Sequence, residues 1–186
     1  DFTKTFANGH ANDPIFVWSG DLTMTGCVVS GIDEAHNLIE LLSTKSASIT
    51  STKIVNNTLT HDGVTEAISI YSSRGVNIES VLIADNTATV MPRISYGIRT
   101  SSNVDPVRVA NVTVANNNGY GMCIEASTVT AVNSIFYNDA CGEVDLDAGG
   151  VLNVSRTVLG SSETSGGTIE GTPWYVTSNP FDESYK

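Results

Sequence analysis

Cysteine is scarce in this chain of 186 residues, which carries only Cys27, Cys123 and Cys141. An odd, low count is no disulfide framework, and without a CxxC pair there is no zinc signature. One disulfide is the most that three thiols allow, so cysteine does not fix the compartment. Basic residues are scarce too: 9 Lys and Arg stand against 20 Asp and Glu, a net charge of −11. That balance excludes nucleic-acid binding through phosphates and docking on anionic lipid, both of which need basic surface. It is compatible with divalent cations and with a merely solvated acidic surface. No apolar run approaches the length of a membrane span. The opening DFTKTFANGH is no signal peptide, and it begins abruptly, as an excised piece would. No segment shows helical periodicity. There is no P-loop, no GxGxxG opening a helix and no HExxH, and GSSETSGG is not a nucleophile elbow. What remains is a chain long enough for one domain with a core, 40% hydrophobic.

That hydrophobic content is periodic. Met24, Ile49, Ile78, Val109, Ala131 and Val154 recur at steps of 22 to 31 residues, the span of a repeat architecture. Two residues before each stand Leu22, Ala47, Val76, Val107, Val129 and Leu152. Three residues after stand Cys27, Thr52, Val81, Val112, Ser134 and Thr157, all small or β-branched. Five residues after stand Val29, Ile54, Ile83, Val114, Phe136 and Leu159. Then comes a turn pair, which is an Asn/Asp doublet in four repeats: Asn56-Asn57, Asp85-Asn86, Asn116-Asn117 and Asn138-Asp139. Asn and Asp favour turns because they bond their own backbone and tolerate left-handed geometry. A third strand follows each corner, with the apolar pairs Ile39/Leu41, Ile68/Ile70, Tyr96/Ile98, Met122/Ile124 and Val144/Leu146. Ile15/Val17 is the same strand of an incomplete first rung.

Three short strands per repeat, with columns of like residues, resemble the right-handed parallel β-helix over about residues 15–160. A leucine-rich repeat has a similar period but wants a helical return, and a β-sandwich does not require such column matching. The fold expected is therefore all-β: a β-helix of about six rungs over residues 1–160, then a C-terminal capping tail over 161–186. A solenoid end exposes strand edges and core that must be covered. No cover is obvious at the N-terminus, so more chain or a partner is expected there. The doublets are expected to stack as amide ladders. Asn56, Asn111 and Asn153 also begin glycan-acceptor patterns, although a glycan on Asn56 would conflict with a ladder buried at that doublet.

Stacking turns sequence into surface columns. In the third strand one outward column is expected to read Leu42, Tyr71, Arg99, Glu125, Asp147. Its neighbour reads Glu40, Ser69, Gly97, Cys123, Asp145, with Glu143 on the same wet side. Long insertions at 58–67 and 87–95 bring His61, Asp62, Glu66 and Arg93 to one edge of the face. Such loops on a rigid scaffold are a usual place for function. Three chemistries fit. Asp145, Asp147 and Glu125 could act as paired carboxylates in glycoside hydrolysis. They could also hold Ca²⁺ for lyase chemistry, with Arg99 as base. Or the face binds without reaction, Tyr71 serving as platform and Arg99, His61 and Arg93 as polar contacts. A solvated acidic face with an Arg99–Glu125 ion pair explains the same residues.

The resemblance implies polysaccharide lyases, glycoside hydrolases, phage tailspikes and surface adhesins. The function expected is a carbohydrate-facing domain that binds or processes a polysaccharide at a cell or virion surface or in the extracellular space. The rival is a structural or adhesion segment that assembles into a rod or homo-oligomer. Fold alone does not choose between them.

Overall fold

The computed structural model describes residues 13–60, 63–89, 95–137, 139–160, 162–164 and 167–175. Within them the chain coils through three parallel sheets of seven strands each. Sheet 1 stacks β1 (Ile15–Trp18), β4 (Asn37–Leu42), β8 (Thr65–Tyr71), β12 (Ser95–Ser101), β15 (Tyr120–Glu125), β18 (Gly142–Asp147) and β21 (Ser162–Thr164). Sheet 2 stacks β2 (Asp21–Thr25), β5 (Ser46–Thr50), β9 (Val76–Glu79), β13 (Val107–Ala110), β16 (Thr128–Val132), β19 (Val151–Ser155) and β22 (Thr168–Gly171). Sheet 3 stacks β3 (Val28–Ser30), β6 (Lys53–Val55), β10 (Leu82–Ala84), β14 (Thr113–Ala115), β17 (Ile135–Tyr137), β20 (Val158–Leu159) and β23 (Trp174–Tyr175). There is no helix among the described residues.

The sequence columns are the hydrogen-bonding register. Met24 faces Ile49, Ile49 faces Ile78, Ile78 faces Val109, Val109 faces Ala131 and Ala131 faces Val154 in sheet 2. Val29, Ile54, Ile83, Val114, Phe136 and Leu159 are stacked in sheet 3. Side chains alternate across a strand, so each column lands inside. Nearly all of these residues are buried in one continuous apolar core. Apolar area removed from water drives the coiling at roughly 25 cal/mol per Å². The segment read as a covering tail begins as a further coil: β21, β22 and β23 add one strand to each sheet. Residues 176–186 lie outside the described residues.

Among the described residues, most corners turn on a residue in the left-handed region. Ser51 (φ 50°), Ser80 (57°) and Asn111 (54°) lead from sheet 2 to sheet 3. Asn56 (56°), Asp85 (56°) and Asn116 (58°) leave sheet 3. The last three are the first members of the doublets and are exposed, while Asn57, Asn86 and Asn117 are buried. The expected conflict at Asn56 is therefore corrected: its partner Asn57, not Asn56 itself, occupies the ladder. Beyond this corner a fourth, two-stranded sheet pairs β7 (Thr58–Leu59) with β11 (Thr87–Ala88). Asn118 extends it as a backbone would, Oδ1 accepting from the Ala88 N–H (2.6 Å) and Nδ2 donating to the Ala88 carbonyl (2.9 Å).

Two expectations in sheet 1 are corrected. In β12 the inward pair is Ile98/Thr100, not Tyr96/Ile98. Ile98 stacks between Ile68 and Met122, and Thr100 between Ile70 and Ile124. Thr100 is β-branched like valine and fully buried, although its hydroxyl has no hydrogen-bond partner. The register therefore shifts by two residues. Arg99 joins the column of Glu40, Ser69, Cys123 and Asp145, and Ser101 takes its place between Tyr71 and Glu125. The second correction is Glu143, expected on the wet side with Asp145 and Asp147. It is buried, and a Cβ on Gly160 would stand 2.6 Å from its Oε1.

Candidate functional site

The outer face of sheet 1 is where charge collects. Arg99 is the hub. Its Nη1 donates to Glu66 Oε1 at 3.2 Å and its Nη2 to Glu125 Oε2 at 3.0 Å. Both contacts follow from stacking. Glu66 opens β8, one strand away, and Glu125 closes β15 on the other side, so one guanidinium spans three coils diagonally. Glu66 is 3% exposed. Burial pushes its carboxyl up to about 7, with Arg99 pulling the other way. Burial also works against the Arg99 charge, and Glu66 and Glu125 more than offset it.

The start of sheet 1 carries a second polar ladder, which the sequence reading missed. Asp13 Oδ1 accepts from the Asn37 N–H (2.7 Å), and Asn37 Oδ1 accepts from the Glu66 N–H (3.1 Å). His36 lies beside it, with Nε2 donating to the Val64 carbonyl at 2.8 Å and Nδ1 3.9 Å from Asp13 Oδ1. Glu40 faces this ladder. Burial first, then a hydrogen bond and repulsion from Asp13 and the charge of Glu66, push its carboxyl up to about 8. The only sequence signal for this group was the pairing of a corner Asn with acidic residues one repeat away.

Between these groups lies a shallow cavity of about 350 Å³, lined among others by His36, Glu40, Glu66, Ser69, Tyr71 and Arg99. Its floor is explained by register. Ser69 stands between Glu40 and Arg99 in one column, and its short side chain leaves a dip between two long ones. Tyr71, two residues along the strand and 48% exposed, presents its ring at the rim.

The other sequence-predicted residues fall elsewhere. Glu125 and Asp147 are register partners, as are Cys123 and Asp145. Asp147 Oδ1 accepts from the Ala148 N–H at 2.7 Å in a tight turn. Asp145 Oδ2 accepts from the Tyr96 hydroxyl at 3.4 Å, and the Tyr96 ring stacks on Tyr120 at 5.7 Å. Burial, then Cys123 and Asp145, push the Tyr96 phenol up. Each of the three carboxylates named for Ca²⁺ thus engages other groups. Among the described residues no three His, Cys, Asp or Glu side chains are grouped to hold a metal ion. Cys123 keeps its place in the outward column but is covered there, and burial, then Asp145, push its thiol up to about 11, which makes it a poor nucleophile at neutral pH. All three cysteines are free. His61, Asp62 and Arg93 lie outside the described residues.

Residues 5–173 match the sequence family described as the right-handed β-helix region. The chain belongs to that family. The right-handed β-helix thus spans nearly the whole chain, and its parallel three-sheet coil is the one seen here. No curated protein and no solved structure matches the chain.

Proposed function

We propose that this β-helix is a glycan-binding module of an extracellular or surface protein, with a polysaccharide laid along the outer face of sheet 1. The observation that carries the reading is the cavity over Ser69. There an exposed tyrosine ring stands beside a guanidinium fixed between two carboxylates. Sugar recognition needs that combination: a flat apolar face to stack on, and rigid polar groups that bond hydroxyls. Arg99 held from both sides is preorganised, so little side-chain entropy is lost on binding. The binding proposed needs no Ca²⁺. A broad glycan array with the parent and Tyr71→Ala tests it. Retention of at least one glycan, lost at least tenfold in the variant, is the expected result. An array on which the parent retains nothing would sink the reading.

A second reading, a rod that assembles end to end, has its own support. The first coil borders a cavity of about 510 Å³, lined by Met24, Cys27, Val28, Val29 and Ile32 among others. Val28 is 63% and Trp18 69% exposed on the same coil. Light scattering across a hundredfold range of concentration separates the two, since a constant monomer mass excludes the rod.

A further inference from the structure

The cavity over Ser69 also carries information about the sign of its ligand. Arg99 is the one guanidinium lining it among the described residues. Both ends of that guanidinium are taken, by Glu66 at 3.2 Å and Glu125 at 3.0 Å. A carboxylate or sulfate arriving on a sugar would meet a guanidinium whose charge two carboxylates already balance, and would have to compete with them. Displacing Glu66 would strand a carboxylate with almost no solvent access, the costliest kind of broken pair. Among the described residues the remaining lining adds the two carboxyls of Glu40 and Glu66 and no lysine or second arginine. Burial, more than neighbouring acids, holds these two carboxyls up at about 8 and 7, so it is the arrival of a cation that draws them into the charged form.

Cations meet the opposite situation. A positive group over Ser69 would lie between Glu40 and Arg99 in the column and close to Glu66. It would also stand beside the Tyr71 ring, whose face attracts cations. Coils stack about 4.8 Å apart, so Glu40 and Arg99 are roughly two such steps apart along the column, room for one pyranose ring on the serine. Building on the glycan reading above, we propose that this cavity selects a sugar carrying an ammonium group, an unacetylated hexosamine within a glycan, and turns away uronate and sulfated sugars.

The test compares three hexasaccharides at pH 7 and fixed ionic strength by calorimetry: β-1,4-linked glucosamine, its N-acetylated counterpart and oligogalacturonate. The expected result is glucosamine binding at least tenfold tighter than the acetylated form, with oligogalacturonate not bound. Glu40→Gln and Ser69→Trp should each remove most of that preference. Glu79→Gln, on sheet 2 and paired with Arg108, should keep it. If Glu79→Gln loses as much as Glu40→Gln, the acidic surface at large is binding and the proposal is overturned. If oligogalacturonate binds best, or only a neutral glycan on the array binds, the ammonium inference fails while the glycan reading stands. If no glycan binds in either experiment, both fall.

Discussion

Two columns of polar side chains run up this coil, one inside the third corner and one on the outer face of sheet 1. The inner column is uniform. Asn57 Nδ2 donates to Asn86 Oδ1 (2.9 Å), Asn86 Nδ2 to Asn117 Oδ1 (3.0 Å) and Asn117 Nδ2 to Asp139 Oδ1 (2.9 Å). The spare amide hydrogens reach the carbonyls of Val29, Ile54 and Ile83 one coil back. Like on like leaves every amide satisfied and nothing for a ligand. The outer column mixes glutamate, serine, arginine, cysteine and aspartate. These unlike neighbours form no such continuous series: Arg99 reaches diagonally to Glu66 and Glu125, and a cavity is left over Ser69. Repetition closes the inner column; its interruption leaves the outer one open over Ser69.

The difference can be broken from either side. The largest effect is expected inside. Asn86→Ala removes the acceptor of both the Asn57 N–H and the Asn57 amide, and the donor to the Ile54 carbonyl. With buried groups costing about 1–3 kcal/mol each when orphaned, urea unfolding should show a loss of roughly 3–5 kcal/mol.

Next is Asp139, where the uniform column ends in a carboxylate. Its Oδ2 is buried without a partner, and a Cβ on Gly121 would come within 2.6 Å of it. Burial pushes its carboxyl from 3.8 up to about 7, Asn117 opposing and Glu143 adding. A folded-state pKa above the unfolded one means stability fully present below about pH 4 and lost as pH rises through 7. Asp139→Asn continues the amide series and should flatten that part of the pH profile. It should leave the variant on the order of 2–4 kcal/mol more stable than the parent at pH 8 and equal at pH 4.

Arg99→Met cuts the outer column. Glu66 loses its counter-charge, and the cost should be about 1–3 kcal/mol at pH 8. It should nearly vanish at pH 4, where Glu66 is protonated in both states, and melting at the two pH values reads it. Smallest is Tyr71→Ala. An exposed ring outside the core should change stability by no more than about 0.5 kcal/mol, so any loss of glycan binding is local.

The inner column was legible because its residues repeat. Five-residue and doublet offsets align without any knowledge of the coil, and all of the sheet 2 and sheet 3 columns follow. The outer column was legible only in part. Thr100 looks polar in sequence and Tyr96 apolar, so hydropathy slides β12 by two residues and puts Arg99 in the wrong column. Even so, the guanidinium is long enough to reach Glu125 diagonally, and that ion pair survives the slip. Glu143 was misread for another reason. Strict alternation assumes a straight strand, and the corner before Val144 turns this side chain inward over Gly160. Glu40 was read in its column, but Asp13 and His36 gave no periodic signal, because a cluster of unlike residues has none.

The register has a mechanical consequence. The backbone hydrogen bonds between coils point along the axis of the solenoid, so a pull on its two ends loads them one coil at a time rather than all together. A coil of 22 to 31 residues occupies about 4.8 Å of stacked height and holds roughly 75–105 Å of extended chain. Each coil that peels away therefore lengthens the tether about twentyfold relative to the height it gives up. Under tension the molecule pays out chain in discrete steps while the coils still stacked keep their shape.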